Sequence, residues 1–174
     1  MTDWDRIVRE HGPVVFATAW RILGHRADTE DVVQEVFLQA HQMQQGQAVR
    51  CWEALLRRLA ACRALDRLRQ RRPTVPLEGL LIPTTSDDPE AIAVGRELAD
   101  RLRLAIAQLP RREATVFCLR YFDDLPYEQI AETLQISPGA VATALHKARA
   151  RLEALLLDAA QEERDDGSEV AQPR

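Results

Sequence analysis

Asp28, Asp31 and Glu35 recur at a spacing that sets three carboxylates along one side of a helix, an arrangement that would suit a metal-assisted hydrolase. The same residues have a simpler use. Asp28 followed by Glu30 and Asp31 reads as the opening of a helix, where acids satisfy free N–H groups and complement the positive end of the helix dipole. The three cysteines, Cys51, Cys62 and Cys118, are odd in number and lack CxxC spacing. Two of them fall at apolar helical positions, so reduced thiols are expected rather than a disulfide or metal set. The chain has no GxxxxGK, HExxH, clustered Cys/His ligands or convincing Ser/His/Asp grouping. No catalytic residue, metal or cofactor is therefore expected, and the polar chemistry of the chain must be recognition.

The basic residues show where that recognition lies. Lys147 is the only lysine, and the remaining cations are arginines. Between Val49 and Arg72 stand Arg50, Arg57, Arg58, Arg63, Arg67, Arg69, Arg71 and Arg72 against only Glu53 and Asp66, while Ala27 to Val49 holds four acids and no lysine or arginine. Acidic and basic surfaces are thus separated along the chain. A second basic set, His146, Lys147, Arg149 and Arg151, lies near the C-terminus. The formal charge of -4 argues against nucleic acid only until it is located, because Asp158 to Arg174 contains six acids and two arginines.

The elements that must position these residues are helices. A hydrophobic fraction of 46% with 5% aromatics, dominated by Leu, Ala and Val, is an all-α composition. Apolar periodicity predicts helices over Asp3–Leu23, divided or kinked at Gly12-Pro13 and stopped by Gly24; Asp28–Met43, capped by Asp28; and Val49–Arg72, stopped by Pro73. Gln42 to Gln47 reads as a loop. Four prolines between Pro73 and Pro89, with no apolar period, mark a linker. Helices follow over Glu90–Gln108, Arg111–Phe122, Tyr127–Leu134 and Pro138–Leu157, capped by Asp88 in the first case and Ser137 in the last, before an acidic tail expected to be disordered. The expected fold is two small helical domains, 1–72 and 89–157, joined by a flexible linker, 73–88, with a tail over 158–174.

Residues 125–152 are expected to form a helix-turn-helix. Ile130, Ala131, Leu134, Ile136, Val141 and Leu145 fall where two short helices must face each other, and small Ala131 permits close approach. In such a unit the second helix enters the major groove of duplex DNA and flanking cations hold phosphates. With no signal-peptide core and no stretch approaching 18 apolar residues, the chain is expected to stay in the cytoplasm without membrane insertion.

Four blocks in this order carry a family resemblance: Asp28-Thr29-Glu30-Asp31-Val32-Val33-Gln34-Glu35-Val36-Phe37-Leu38; Trp52-Glu53-Ala54-Leu55 through Arg63-Ala64-Leu65-Asp66-Arg67-Leu68-Arg69; Leu109-Pro110-Arg111-Arg112-Glu113; and Tyr127-Glu128-Gln129-Ile130-Ala131. Together they resemble the extracytoplasmic-function (ECF) sigma factors, the smallest members of the sigma-70 family of bacterial transcription-initiation factors. The resemblance implies that Asp31, Gln34 and Glu35 dock on core RNA polymerase. It implies that the arginine-rich helix melts and reads the minus-ten promoter element, with Arg63, Arg67 and Arg69 as phosphate contacts and Gln42 to Gln47 able to capture a flipped base. The helix-turn-helix would meet the minus-thirty-five element through Thr143, His146, Lys147 and Arg149. An anti-sigma factor is an implied partner, and the linker would thread toward the polymerase active-site channel.

The chain departs from the family pattern at three places. Cys62 stands where Asn is usual, Gln135 where Gly is usual, and Ala142, Thr143 and Ala144 where the recognition helix usually starts with polar or basic residues. The remaining alternative is a stand-alone helix-turn-helix regulator, against which the first two blocks count.

Overall fold

The computed structural model of the chain describes residues 3–44, 49–71 and 89–169, and among them there are seven α-helices and no strand. The expected linker, the centre of the glutamine-rich loop and Asp88 lie outside the described residues. The helices are α1 (Trp4–Leu23), α2 (Arg26–Gln44), α3 (Trp52–Gln70), α4 (Pro89–Gln108), α5 (Arg111–Tyr121), α6 (Tyr127–Leu134) and α7 (Pro138–Glu169).

Helix α1 is unbroken. Its N-terminus is capped by the Asp3 carboxylate, which accepts from the Arg6 N–H at 3.1 Å, and Pro13 sits inside it on the exposed side. Proline there removes one backbone donor, and the buried stripe of Ile7, Val15, Ala19, Ile22 and Leu23 holds the helix together across it. Gly24 ends the helix at φ 60°, with its N–H on the Trp20 carbonyl at 2.7 Å.

The start of α2 differs from expectation. The helix begins at Arg26, so Asp28 lies in its first turn and is not the cap. His25 takes that place: its Nδ1 accepts from the Asp28 N–H at 3.4 Å and its carbonyl from the Thr29 N–H and hydroxyl. Asp28 is instead engaged by Arg71 at the far end of α3. Helix α2 also runs on to Gln44, absorbing the first residues of the expected loop.

Helix α3 is central. Its Leu56, Leu59, Ala60, Ala61, Ala64, Leu65 and Leu68 are buried, facing α1 and α2 on one side and α4, α5 and α6 on another. Alanines are needed on such a helix because neighbours approach from several directions. One apolar cluster consequently runs through both groups of helices, from Ile7 to Leu152.

The joint between α1 and α4 is polar. Arg103 of α4 is 2% exposed; its Nε donates to the Ile22 carbonyl at 3.2 Å and its Nη1 to Asp100 at 3.1 Å. A cation at the C-terminal end of α1 complements the helix dipole. Burial pushes its pKa below the usual arginine value, and the neighbouring Asp100 opposes that shift. Helix α7 continues past Leu157, where the sequence had suggested a stop, to Glu169. Ala, Gln and Glu, which fill residues 159–163, are good helix formers and carry it onward.

Candidate nucleic-acid interface

Side-chain pairing across α2 and α3 joins the acidic and basic surfaces. Asp31, Gln34 and Glu35 are exposed on α2. Arg67 of α3 reaches across to two of them, with its Nη2 3.4 Å from Asp31 Oδ2 and 3.2 Å from Glu35 Oε1. Arg63 donates to the Gln39 side chain at 3.0 Å. Both guanidiniums are half-buried, with hydrogen-bond capacity remaining, since each offers five N–H donors.

Arg69 is placed differently. It donates to the backbone carbonyls of Ala107 and Leu109, at 3.1 and 3.0 Å, at the C-terminal end of α4. In this arrangement it joins the two groups of helices. Sequence periodicity could not separate it from Arg63 and Arg67, because the carbonyls it meets are 38 and 40 residues away.

The structure also brings forward residues that motif reasoning passed over. Met43, Arg50, Cys51 and Arg58 face Glu132, Thr133 and Gln135 across a cleft of about 520 Å³. Arg50 and Arg58 supply its positive charge. Their signal in the sequence was only membership of the arginine-rich block.

The helix-turn-helix has the expected contacts. Ile130 and Ala131 of α6 and Val141 and Leu145 of α7 are buried. Between the helices Gln135 adopts φ 55°, ψ 48°, a left-handed conformation. Its N–H bonds to the Glu132 carbonyl at 3.2 Å and the Ile136 N–H to the Ala131 carbonyl at 2.9 Å, so the turn keeps the hydrogen bonds of a Schellman motif without glycine. Ser137 caps α7, its Oγ accepting from the Ala140 N–H at 3.2 Å.

Along the exposed side of α7 the four predicted contacts divide into two pairs. His146 and Lys147 are exposed, and among the described residues neither has a hydrogen-bond or ion-pair partner. Thr143 donates its hydroxyl to the Gly139 carbonyl at 2.9 Å, and Arg149 donates to the Tyr121 hydroxyl at 2.6 Å. Arg151 pairs with Glu113 at 3.1 Å.

Cys118 is buried, and desolvation pushes its thiol pKa well up, while Cys51 is exposed. Among the described residues no three His, Cys, Asp or Glu side chains converge as metal ligands, and no helix is long and apolar enough to cross a membrane.

Comparison with known proteins matches both halves. The family profile Sigma-70 region 2 matches residues 7–74, and Sigma-70, region 4 matches residues 99–152. The ECF RNA polymerase sigma factor SigW of Bacillus subtilis is 31% identical over 156 residues, covering 83% of each chain. The ECF RNA polymerase sigma factor SigE of Mycolicibacterium smegmatis is 32% identical over 159 residues, covering 87% of this chain; the match spans 61% of SigE. Among solved structures, the sigma factor RpoE from Bartonella quintana, crystallised with the anti-sigma factor NepR, has a TM-score of 0.50 at 20% identity, covering 90% of this chain and 98% of RpoE. The likeness to RpoE concerns the fold alone.

Proposed function

The chain belongs to the ECF sigma factors of the sigma-70 family, and from that premise we propose that it binds core RNA polymerase and directs promoter recognition and transcription initiation. It supplies no catalytic residue; bond formation belongs to the polymerase. In this reading residues 1–72 form the unit that meets the polymerase and the minus-ten element, and residues 89–157 the unit that meets the minus-thirty-five element. Residues 73–88 link them, and the work is done in the cytoplasm.

The observation that carries the reading is the segregation of charge on adjoining helices. Asp31, Gln34 and Glu35 form an exposed polar face on α2, and Arg63 and Arg67 line the neighbouring face of α3. A partner docked on the acids would sit directly beside DNA held by the arginines. Arg67 bridges the two surfaces, so a cationic polymerase surface that takes over Asp31 and Glu35 releases Arg67 toward a phosphate. Farther along the chain, His146 and Lys147 project from the second helix of the helix-turn-helix, where duplex DNA is read. Thr143 and Arg149 join them once their present hydrogen bonds exchange for DNA. An anti-sigma factor is the proposed inhibitor, as NepR is the partner in the RpoE crystal.

Reconstitution with core polymerase tests this. A stable complex that starts run-off transcription from a cognate promoter is expected. Failure to form any complex, where an established sigma factor assembles, would remove the reading. Unaided binding to duplex DNA with no core complex would favour a stand-alone regulator.

A further inference from the structure

The connection between α5 and α6 places a carboxylate where it joins the two halves of the molecule. Asp123 belongs to the C-terminal helices, yet its side chain is 1% exposed and its partners lie in the N-terminal helices. Oδ2 accepts the Thr18 hydroxyl at 2.7 Å, Oδ1 accepts Arg21 Nη1 at 2.7 Å, and Arg57 Nη1 lies 3.7 Å from Oδ2. Thr18 is itself buried, and Arg57 is held in place by Glu53 at 2.7 Å. The next residue, Asp124, adopts φ 52°, a conformation that a side chain rarely takes, and is tied to Arg120 at 2.9 Å. The backbone therefore bends sharply beside the residue that enters the socket.

We infer that Asp123 is a latch that holds the two groups of helices closed in the chain without partners, and that it must release before both promoter elements can be held; this second step rests on the sigma-factor reading above. A buried carboxylate is tolerated only with its donors in place, so closure and the Thr18–Arg21–Arg57 socket depend on each other. The same closure engages Arg69 with the end of α4 and pairs Arg111 with Asp66 at 2.9 Å. It thus withholds part of the cationic surface of α3.

Size makes release necessary. Elements centred at minus ten and minus thirty-five lie about 25 base pairs apart, or about 85 Å at roughly 3.4 Å per base pair. A compact chain of 174 residues has a radius of gyration of about 16 Å. The closed molecule is too small to touch both.

Small-angle X-ray scattering on the full chain, without DNA or polymerase, tests the latch directly. Asp123→Arg, which sets a cation against Arg21 and Arg57, is expected to raise the radius of gyration clearly above that of the wild type. Arg21→Asp changes the exposed partner and opens the chain from the other side, with far-UV circular dichroism confirming that helix content is kept. The Arg21→Asp/Asp123→Arg swap rebuilds the ion pair and is expected to return toward wild-type dimensions. With core polymerase, Asp123→Arg is expected to raise apparent promoter affinity by a factor on the order of 3 to 10, as the closed fraction no longer competes. A wild type already extended, single variants with unchanged dimensions, or a swap that stays extended would each overturn the latch. If neither wild type nor variant binds core polymerase, the sigma-factor reading fails, and scattering still decides on the latch.

Discussion

Gln135 shows how one residue can keep a turn that its type disfavours. Its φ of 55° satisfies the Schellman hydrogen bonds, and the cost falls on the side chain. Gln135→Gly is expected to raise stability by about 1 kcal/mol, measured by urea denaturation, because glycine adopts this conformation freely. Cysteine reactivity gives a second test at this scale. Only a thiolate alkylates readily, and burial holds the Cys118 thiol protonated. Native-state alkylation followed by mass spectrometry should modify Cys51 first and leave Cys118 untouched until the chain is denatured.

At the scale of elements, α2 and α3 act as one unit: their apolar faces share one core, and Arg63, Arg67 and Arg71 reach across from α3 to Gln39, to Asp31 and Glu35, and to Asp28. Replacing both acids, Asp31→Asn with Glu35→Gln, is expected to weaken core polymerase binding by about fivefold or more, each exposed ion pair contributing up to about 1 kcal/mol. Fluorescence titration with core enzyme would measure it. On α7, Lys147 has no internal partner to lose, so Lys147→Ala is expected to reduce promoter binding and lower the salt slope by about 0.9. Arg149→Ala should also weaken binding, with the additional loss of the Tyr121 hydrogen bond. Unchanged footprints over the minus-thirty-five element in both variants would remove these residues from the DNA contact.

The whole molecule is held by contacts that cross between its halves. Gly24 occupies one such crossing, where its left-handed turn lies against the buried Arg103 guanidinium. A Cβ at this position would overlap Arg103 Nη2 and Cζ, and the positive φ adds backbone strain. Gly24→Ala is therefore expected to cost more than about 1 kcal/mol and to lower Tm by at least about 2–4 °C in calorimetry. Because Arg103 belongs to α4 and Gly24 follows α1, the loss should also loosen the closed arrangement, which scattering would detect.

Local chemistry was sufficient for the helices. Apolar spacing located all seven within a few residues, apart from the far end of α7, and the cap Ser137 and the stop Gly24 were readable as residue types. The separation of acids before Val49 from arginines after it was also a property of order along the chain. Misplacing the α2 cap had a long-range cause: Asp28 is engaged by Arg71, 43 residues away, and His25 does the local work. The same holds for the arginines. Arg63, Arg67 and Arg69 are alike in type and helical surroundings, yet one meets Gln39, one meets Asp31 and Glu35, and one meets carbonyls of α4. Asp123 carried no distinguishing signal at all, since its donors lie 66 to 105 residues earlier. The sequence alone determined helices, caps and the distribution of charge, because these depend on neighbours within one or two turns. Which charges are spent inside the fold and which remain for a partner was decided only by tertiary packing, which brings distant donors and acceptors together.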